Sequence, residues 1–114
     1  MEEIRNQTKE RLAQVETAPN GSFLASVREF VKFAREQPES FDDILVEELE
    51  AQYQAFKSGG DFTGDAEYAL ICALSRRPTP KAVPALSKIL VEDATAGREE
   101  IVRILRDVGD PRAV

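Results

Sequence analysis

At 114 residues, 42% apolar and 32% charged, the chain has the size and apolar content of one folded domain with a continuous core. Its single cysteine excludes an intrachain disulfide and points to a reducing, cytoplasmic home. The lack of histidine excludes a His-based triad or a His-containing metal site, and the net charge of −6 argues against general affinity for nucleic acid.

The apolar pattern predicts about six helices and no strand. The first spans about Glu2 to Glu16, with Ile4, Leu12 and Val15 as a thin stripe, and Ala18-Pro19-Asn20-Gly21 ends it. Its start lacks the basic residues and apolar stretch of a signal peptide, and no apolar run approaches the roughly 18 residues of a membrane span. Ser22 is placed to cap a second helix, where Leu24, Val27, Val31 and Ala34 recur at helical spacing. Phe23, Phe30 and Phe33 widen that face, and Pro38 stops the helix. On its other side Arg28, Lys32 and Arg35 form an i, i+4, i+7 stripe, expected to lie near the acidic face of an antiparallel third helix.

Ser40 is placed to cap that third helix, with Asp42 and Asp43 in the first turn, where the helix dipole favours negative charge. Its core face reads Phe41, Ile44, Leu45, Leu49, Tyr53 and Phe56, and Gly59-Gly60 supply a left-handed stop. Glu39, Asp42, Asp43, Glu47, Glu48 and Glu50 stand together without a basic residue, and the other 15 acidic and 15 basic residues cancel. All of the excess charge thus lies on one segment, whose plain reading is a solvated helix face. A basic protein partner is the functional reading, because charge of one sign steers association.

The C-terminal half repeats itself. Tyr68 to Leu74 and Thr79 to Val83 recur 31 residues later as Glu99 to Leu105 and Asp110 to Val114, with Leu70 matching Ile101 and Pro80 matching Pro111. A fixed period of this length marks stacked helical repeats. The fourth helix, about Ala66 to Arg76, is expected to bury Ala66, Leu70, Ala73 and Leu74. Thr79-Pro80 caps a fifth, running to about Glu92 with Val83, Leu86, Ile89 and Leu90 inward. After Ala94-Thr95-Ala96-Gly97 a sixth carries Ile101, Ile104, Leu105 and Val108, and Gly109 stops it. Asp110-Pro111 then signals a further helix as the sequence ends, so truncation of a longer repeat protein is the expectation.

Val108-Gly109-Asp110-Pro111-Arg112-Ala113-Val114, and more loosely Arg77-Pro78-Thr79-Pro80-Lys81-Ala82-Val83, resemble the inter-repeat turn of HEAT repeats of the phycobilisome-lyase type. The resemblance covers about residues 64–114. It implies an all-α, right-handed α-solenoid of antiparallel helix pairs over a single domain, 1–114, with residues 1–63 as degenerate repeats or an N-terminal cap. It also implies that the second helix of each pair lines a concave surface. Opposite the core stripe on those helices lie Tyr68, Cys72 and Ser75, and Glu99, Arg103 and Arg106, which the 31-residue offset pairs as one candidate partner-binding surface.

The function expected is therefore a non-enzymatic protein–protein interaction module, as a monomer or as part of a longer chain, with no catalytic residues, cofactor or metal. One alternative is an acidic inhibitor or immunity-type protein holding a basic partner through helix 40–57, with Asp43, Glu47, Glu48 and Glu50 as its face. Another is part of a HEAT-like bilin lyase or DNA-processing enzyme. Against the latter stand the lone Cys72 without a histidine, the lack of a phosphate-binding glycine loop, and the few basic residues (Arg76, Arg77, Arg103, Arg106) among many acids.

Overall fold

The computed structural model describes residues 2–59, 64–92 and 98–108, and these form helices joined by turns, with no strand among them. The helices are α1 (Glu2–Thr17), α2 (Phe23–Arg35), α3 (Phe41–Ser58), α4 (Asp65–Arg76), α5 (Val83–Glu92) and α6 (Arg98–Asp107). Short 3₁₀ turns at Asn20–Ser22 and Pro80–Ala82 lead into α2 and α5. The expected stop at Gly60, the expected turn at Ala94-Thr95-Ala96-Gly97 and the Gly109–Val114 motif lie outside the described residues.

Proline and glycine set most of the boundaries. Pro38 ends α2, because a residue before proline is disfavoured in the helical region. Gly59 ends α3 at φ +73°, donating its N–H to the Phe56 carbonyl at 3.3 Å. Thr79 accepts from the Lys81 N–H at 3.3 Å, with Pro80 as the first residue of the 3₁₀ turn, so the anticipated cap exists one turn ahead of α5 proper.

Ser22 and Ser40 make no side-chain cap, contrary to expectation. The N–H groups that the Ser40 hydroxyl would cap already have backbone partners, Asp42 donating to Glu39 at 3.0 Å and Asp43 to Ser40 at 3.3 Å, while Ser22 N–H closes the 3₁₀ turn onto Pro19 at 2.8 Å. At Ser40 the backbone thus leaves the hydroxyl no orphan donor to satisfy.

α4 is the hub. It packs against α1, α2, α3 and α6, and its Ala66, Glu67, Ala69, Leu70, Ile71, Ala73 and Leu74 are all buried. A helix apolar over most of its circumference must lie inside, and three alanines let neighbouring backbones approach closely. α1 also packs on α2, α3 on α5, and α5 on α6. The radius of gyration is 13.2 Å, close to the roughly 13 Å of a compact domain of this length.

The core stripes agree with the sequence at most positions. Leu12 and Val15 of α1, five of the six expected α3 residues, and Ile101, Ile104 and Leu105 of α6 are buried, with Phe56 and Val108 half-buried. Leu24 departs, at 59% exposed. The buried line on α2 runs Val27, Phe30, Phe33, Ala34, and Leu24 sits to one side of it.

The second and third helices are not the side-by-side pair expected. α2 packs on α1 and α4 and meets α3 at their junction, where Phe33 and Phe41 stand edge to face with centroids 5.7 Å apart. Arg77, just past α4, closes the same junction. Its guanidinium donates to Asp42 Oδ1 at 2.9 Å and to the carbonyls of Ala34, Gln37 and Pro38, and lies 5.4 Å from the Phe41 ring centroid.

Candidate functional site

Buried residues recur at i, i+3, i+4 on α2, α4 and α6, a spacing that α3 also shows at Phe41, Ile44 and Leu45. On α2 the buried residues Phe30, Phe33 and Ala34 have the spacing of Leu70, Ala73 and Leu74 on α4 and of Ile101, Ile104 and Leu105 on α6. Opposite those cores, at positions equivalent in all three, lie Arg28, Lys32 and Arg35, then Tyr68, Cys72 and Ser75, then Glu99, Arg103 and Arg106. Because α2 packs on α4 and α4 on α6, these outward stripes are carried by neighbouring helices.

Side chains cross both seams. The Phe23 ring of α2 stacks on Tyr68 of α4, with centroids 6.1 Å apart and an interplanar angle of 27°. Glu100 of α6 is close enough to influence both Tyr68 and Cys72 electrostatically. The six residues singled out from the sequence fall into two groups. Tyr68, Cys72 and Ser75 are half-buried between α2 and α6, whereas Glu99, Arg103 and Arg106 are exposed. The exposed three, with Val102 and Asp107, border an open hollow of about 700 Å³.

The α4 group is internally bonded. Ser75 Oγ donates to the Cys72 carbonyl at 2.7 Å, and Tyr68, one turn before Cys72, is near enough for its hydroxyl to act on the thiol. Burial pushes the Cys72 thiol up, and Glu100 adds to this against the opposing Tyr68 hydrogen bond and Arg76 charge. Tyr68 is raised as well, chiefly by its bond to Cys72. A thiol held protonated at neutral pH is a weak nucleophile and a weak metal ligand. Among the described residues no group of three His, Cys, Asp or Glu side chains could hold a metal ion.

The acidic segment divides as well. Asp43 and Glu47 are exposed but engaged: Lys81 Nζ lies 3.1 Å from Asp43 Oδ1, and Arg5 pairs with Glu47. Glu48 is half-buried against α1, and its carboxyl is pushed up by desolvation, with Lys9 opposing, Glu47 adding and Arg5 opposing. Glu50 is exposed on a groove of about 230 Å³ between α3 and α5, lined also by Glu47, Tyr53, Ala85 and Lys88.

Arg28, Lys32 and Arg35 were expected beside the acids of α3. They form no ion pair among the described residues, and the partners of those acids come from Arg5, Arg77 and Lys81. The signal that places this stripe with Tyr68 and Arg103 is a 40-residue offset between α2 and α4, Phe30 to Leu70 and Ala34 to Leu74. Within the two helices it carries no identities, and its match of Pro38 with Pro78 lies just beyond them, so a search for the 31-residue echo passes over it. No helix among the described residues is long and apolar enough to cross a membrane.

Compared with protein-family models, with curated proteins and with solved structures, the chain matches none.

Proposed function

We propose that this chain is a non-enzymatic interaction module: a short HEAT-like stack of three helix pairs that holds another protein on the outward face of α2, α4 and α6. The observation that carries this reading is the packing of α2 on α4, α4 on α6 and α3 on α5, with the α2, α4 and α6 cores at one spacing. Helix pairs stacked in register bury one side and offer the other as a broad, rigid surface. On that surface Tyr68 is a half-buried aromatic anchor, with Arg103 and Arg106 exposed on the neighbouring helix. Aromatic anchors and arginines are the residue types that dominate binding energy. The non-enzymatic half of the proposal rests on the missing histidine and on the protonated thiol.

The acidic face of α3 is the competing surface for a partner. It is the weaker one, because Asp43 and Glu47 already face Lys81 and Arg5. The test is capture of native partners by the wild-type chain beside two double variants, Arg103→Ala with Arg106→Ala, and Glu47→Lys with Glu50→Lys. One stoichiometric protein lost only with the arginine variant supports the reading. Loss only with the α3 variant transfers the function to the acidic face.

A further inference from the structure

Exposed cations gather on α2, α4 and α6. Arg28, Lys32, Arg35, Arg76, Arg103 and Arg106 are all exposed on α2, α4 and α6, and none forms an ion pair among the described residues. On the nine stripe positions, five are cationic and Glu99 is the single acid. Glu29, Glu100 and Asp107 stand at the sides of the stripes. Next to these cations the Phe23–Tyr68 stack is half-buried, and Leu24, in the same turn as Phe23, is 59% exposed. An aromatic centre flanked by uncompensated cations is the anatomy of a docking surface for a partner of opposite charge.

We infer that this face takes an acidic segment of another protein, one carrying a large apolar side chain to cover Phe23, Leu24 and Tyr68. The inference rests on the interaction reading above and adds the chemistry of the partner, whose sign is opposite to the one the acidic α3 face would select. Adjacent helices lie about 8–10 Å apart, so three of them span about 20 Å. An acidic helix of about 16 residues, rising about 1.5 Å per residue, is long enough to cross all three. A nucleic acid fits less well. Its duplex carries one charge per about 1.7 Å of axis, and Glu29, Glu99, Glu100 and Asp107 interrupt the cations that would have to meet it.

The experiment is fluorescence anisotropy with three labelled probes: a peptide of about 16 residues with Glu and Asp on one helical face and Leu and Phe on the other, its Lys counterpart, and a single-stranded oligonucleotide of equal charge. Expected is saturable binding of the acidic peptide that weakens about tenfold between about 50 and 300 mM NaCl, within the range of ionic screening. Arg103→Glu with Arg106→Glu should weaken it at least about tenfold, and Tyr68→Ala should weaken it with the salt dependence unchanged. Glu47→Lys with Glu50→Lys should leave it intact. Preference for the Lys peptide, tighter binding of the oligonucleotide, or no binding of any probe would overturn the inference. If native capture yields a partner that depends on Arg103 and Arg106 but has no acidic segment, this inference fails and the interaction reading survives.

Discussion

Replacing Arg77 by alanine should be the most destabilising single change outside the apolar core. Both side chains of the Arg77–Asp42 pair are nearly buried, at 15% and 14% exposure, and the bond is 2.9 Å. Removing one member of a buried pair costs about 3–5 kcal/mol, because the other charge is left without compensation. Slight solvent access places this site at about 3 kcal/mol, the lower end of that range. The carbonyls of Ala34 and Pro38 keep backbone donors, from Gln37 and Phe41, so they add little. At about 4 °C per kcal/mol for a chain this size, the melting temperature should fall about 12 °C.

The assay is urea and thermal unfolding followed by circular dichroism at the helical band. Arg77→Lys keeps the charge but cannot fork to four acceptors, so it should recover only about half of the loss. Asp42→Ala combined with Arg77→Ala should cost less than the two singles added, since neither then strands the other. The reasoning is refuted if Arg77→Ala costs under about 1 kcal/mol, as an exposed pair would, or if the two losses simply add.

Three further outcomes follow from named groups. Cys72 should alkylate more slowly in the folded chain than after denaturation, with its rate rising at a pH above that of free cysteine, because burial holds the thiol protonated. A rate equal to that of a free thiol would contradict this. Glu48 binds its proton more tightly folded than unfolded, so its contribution to stability is present at acid pH and is lost as pH rises through the folded value. Glu48→Gln should therefore raise the melting temperature at pH 7, with the gain disappearing near pH 4, as paired thermal scans at the two pH values would record. Gly59→Ala should cost about 1–2 kcal/mol by urea titration, since the space is open but φ is +73°; Gly59→Asn should cost less, because asparagine tolerates that conformation.

The boundaries of the helices were legible because their causes are local. Pro19, Pro38, Gly59 and Thr79-Pro80 act within one turn, and the observed ends lie within a few residues of the expected ones. The centrality of α4 was not legible to the same degree. Ala69 and Ile71 read as the flank of a stripe, yet both are fully buried because α1, α2, α3 and α6 surround them. Periodicity reports that a helix has an inside; it does not report how many neighbours that inside will have. The missing caps at Ser22 and Ser40 have the same origin on a smaller scale. Both serines satisfy the composition rule for a cap, but at Ser40 the Glu39 and Ser40 carbonyls take the Asp42 and Asp43 N–H groups that the hydroxyl would have capped.

The candidate surface was half legible, and the half that was missed decides its charge. Between α4 and α6 only Leu74 and Leu105 are identical at the 31-residue offset, but Pro80, Ala82 and Val83 recur as Pro111, Ala113 and Val114 just beyond, so Tyr68, Cys72, Ser75, Glu99, Arg103 and Arg106 could be grouped from sequence alone. Those six carry two cations, an aromatic, a thiol, a hydroxyl and one acid, from which no partner chemistry follows. α2 shares only its pattern of burial with them, Phe30, Phe33 and Ala34 standing where the later helices place smaller or aliphatic side chains. Burial frames survive such changes because they depend on volume and spacing, whereas motif searches depend on identity. Once α2 is set in the same frame, Arg28, Lys32 and Arg35 move from the acids of α3 to the cations of α6. The chain is then acidic in total and basic on one face. Beyond a Debye length of about 8 Å exposed charges are largely screened, so the charge of the local face, rather than the net charge, bears on what such a molecule binds on contact.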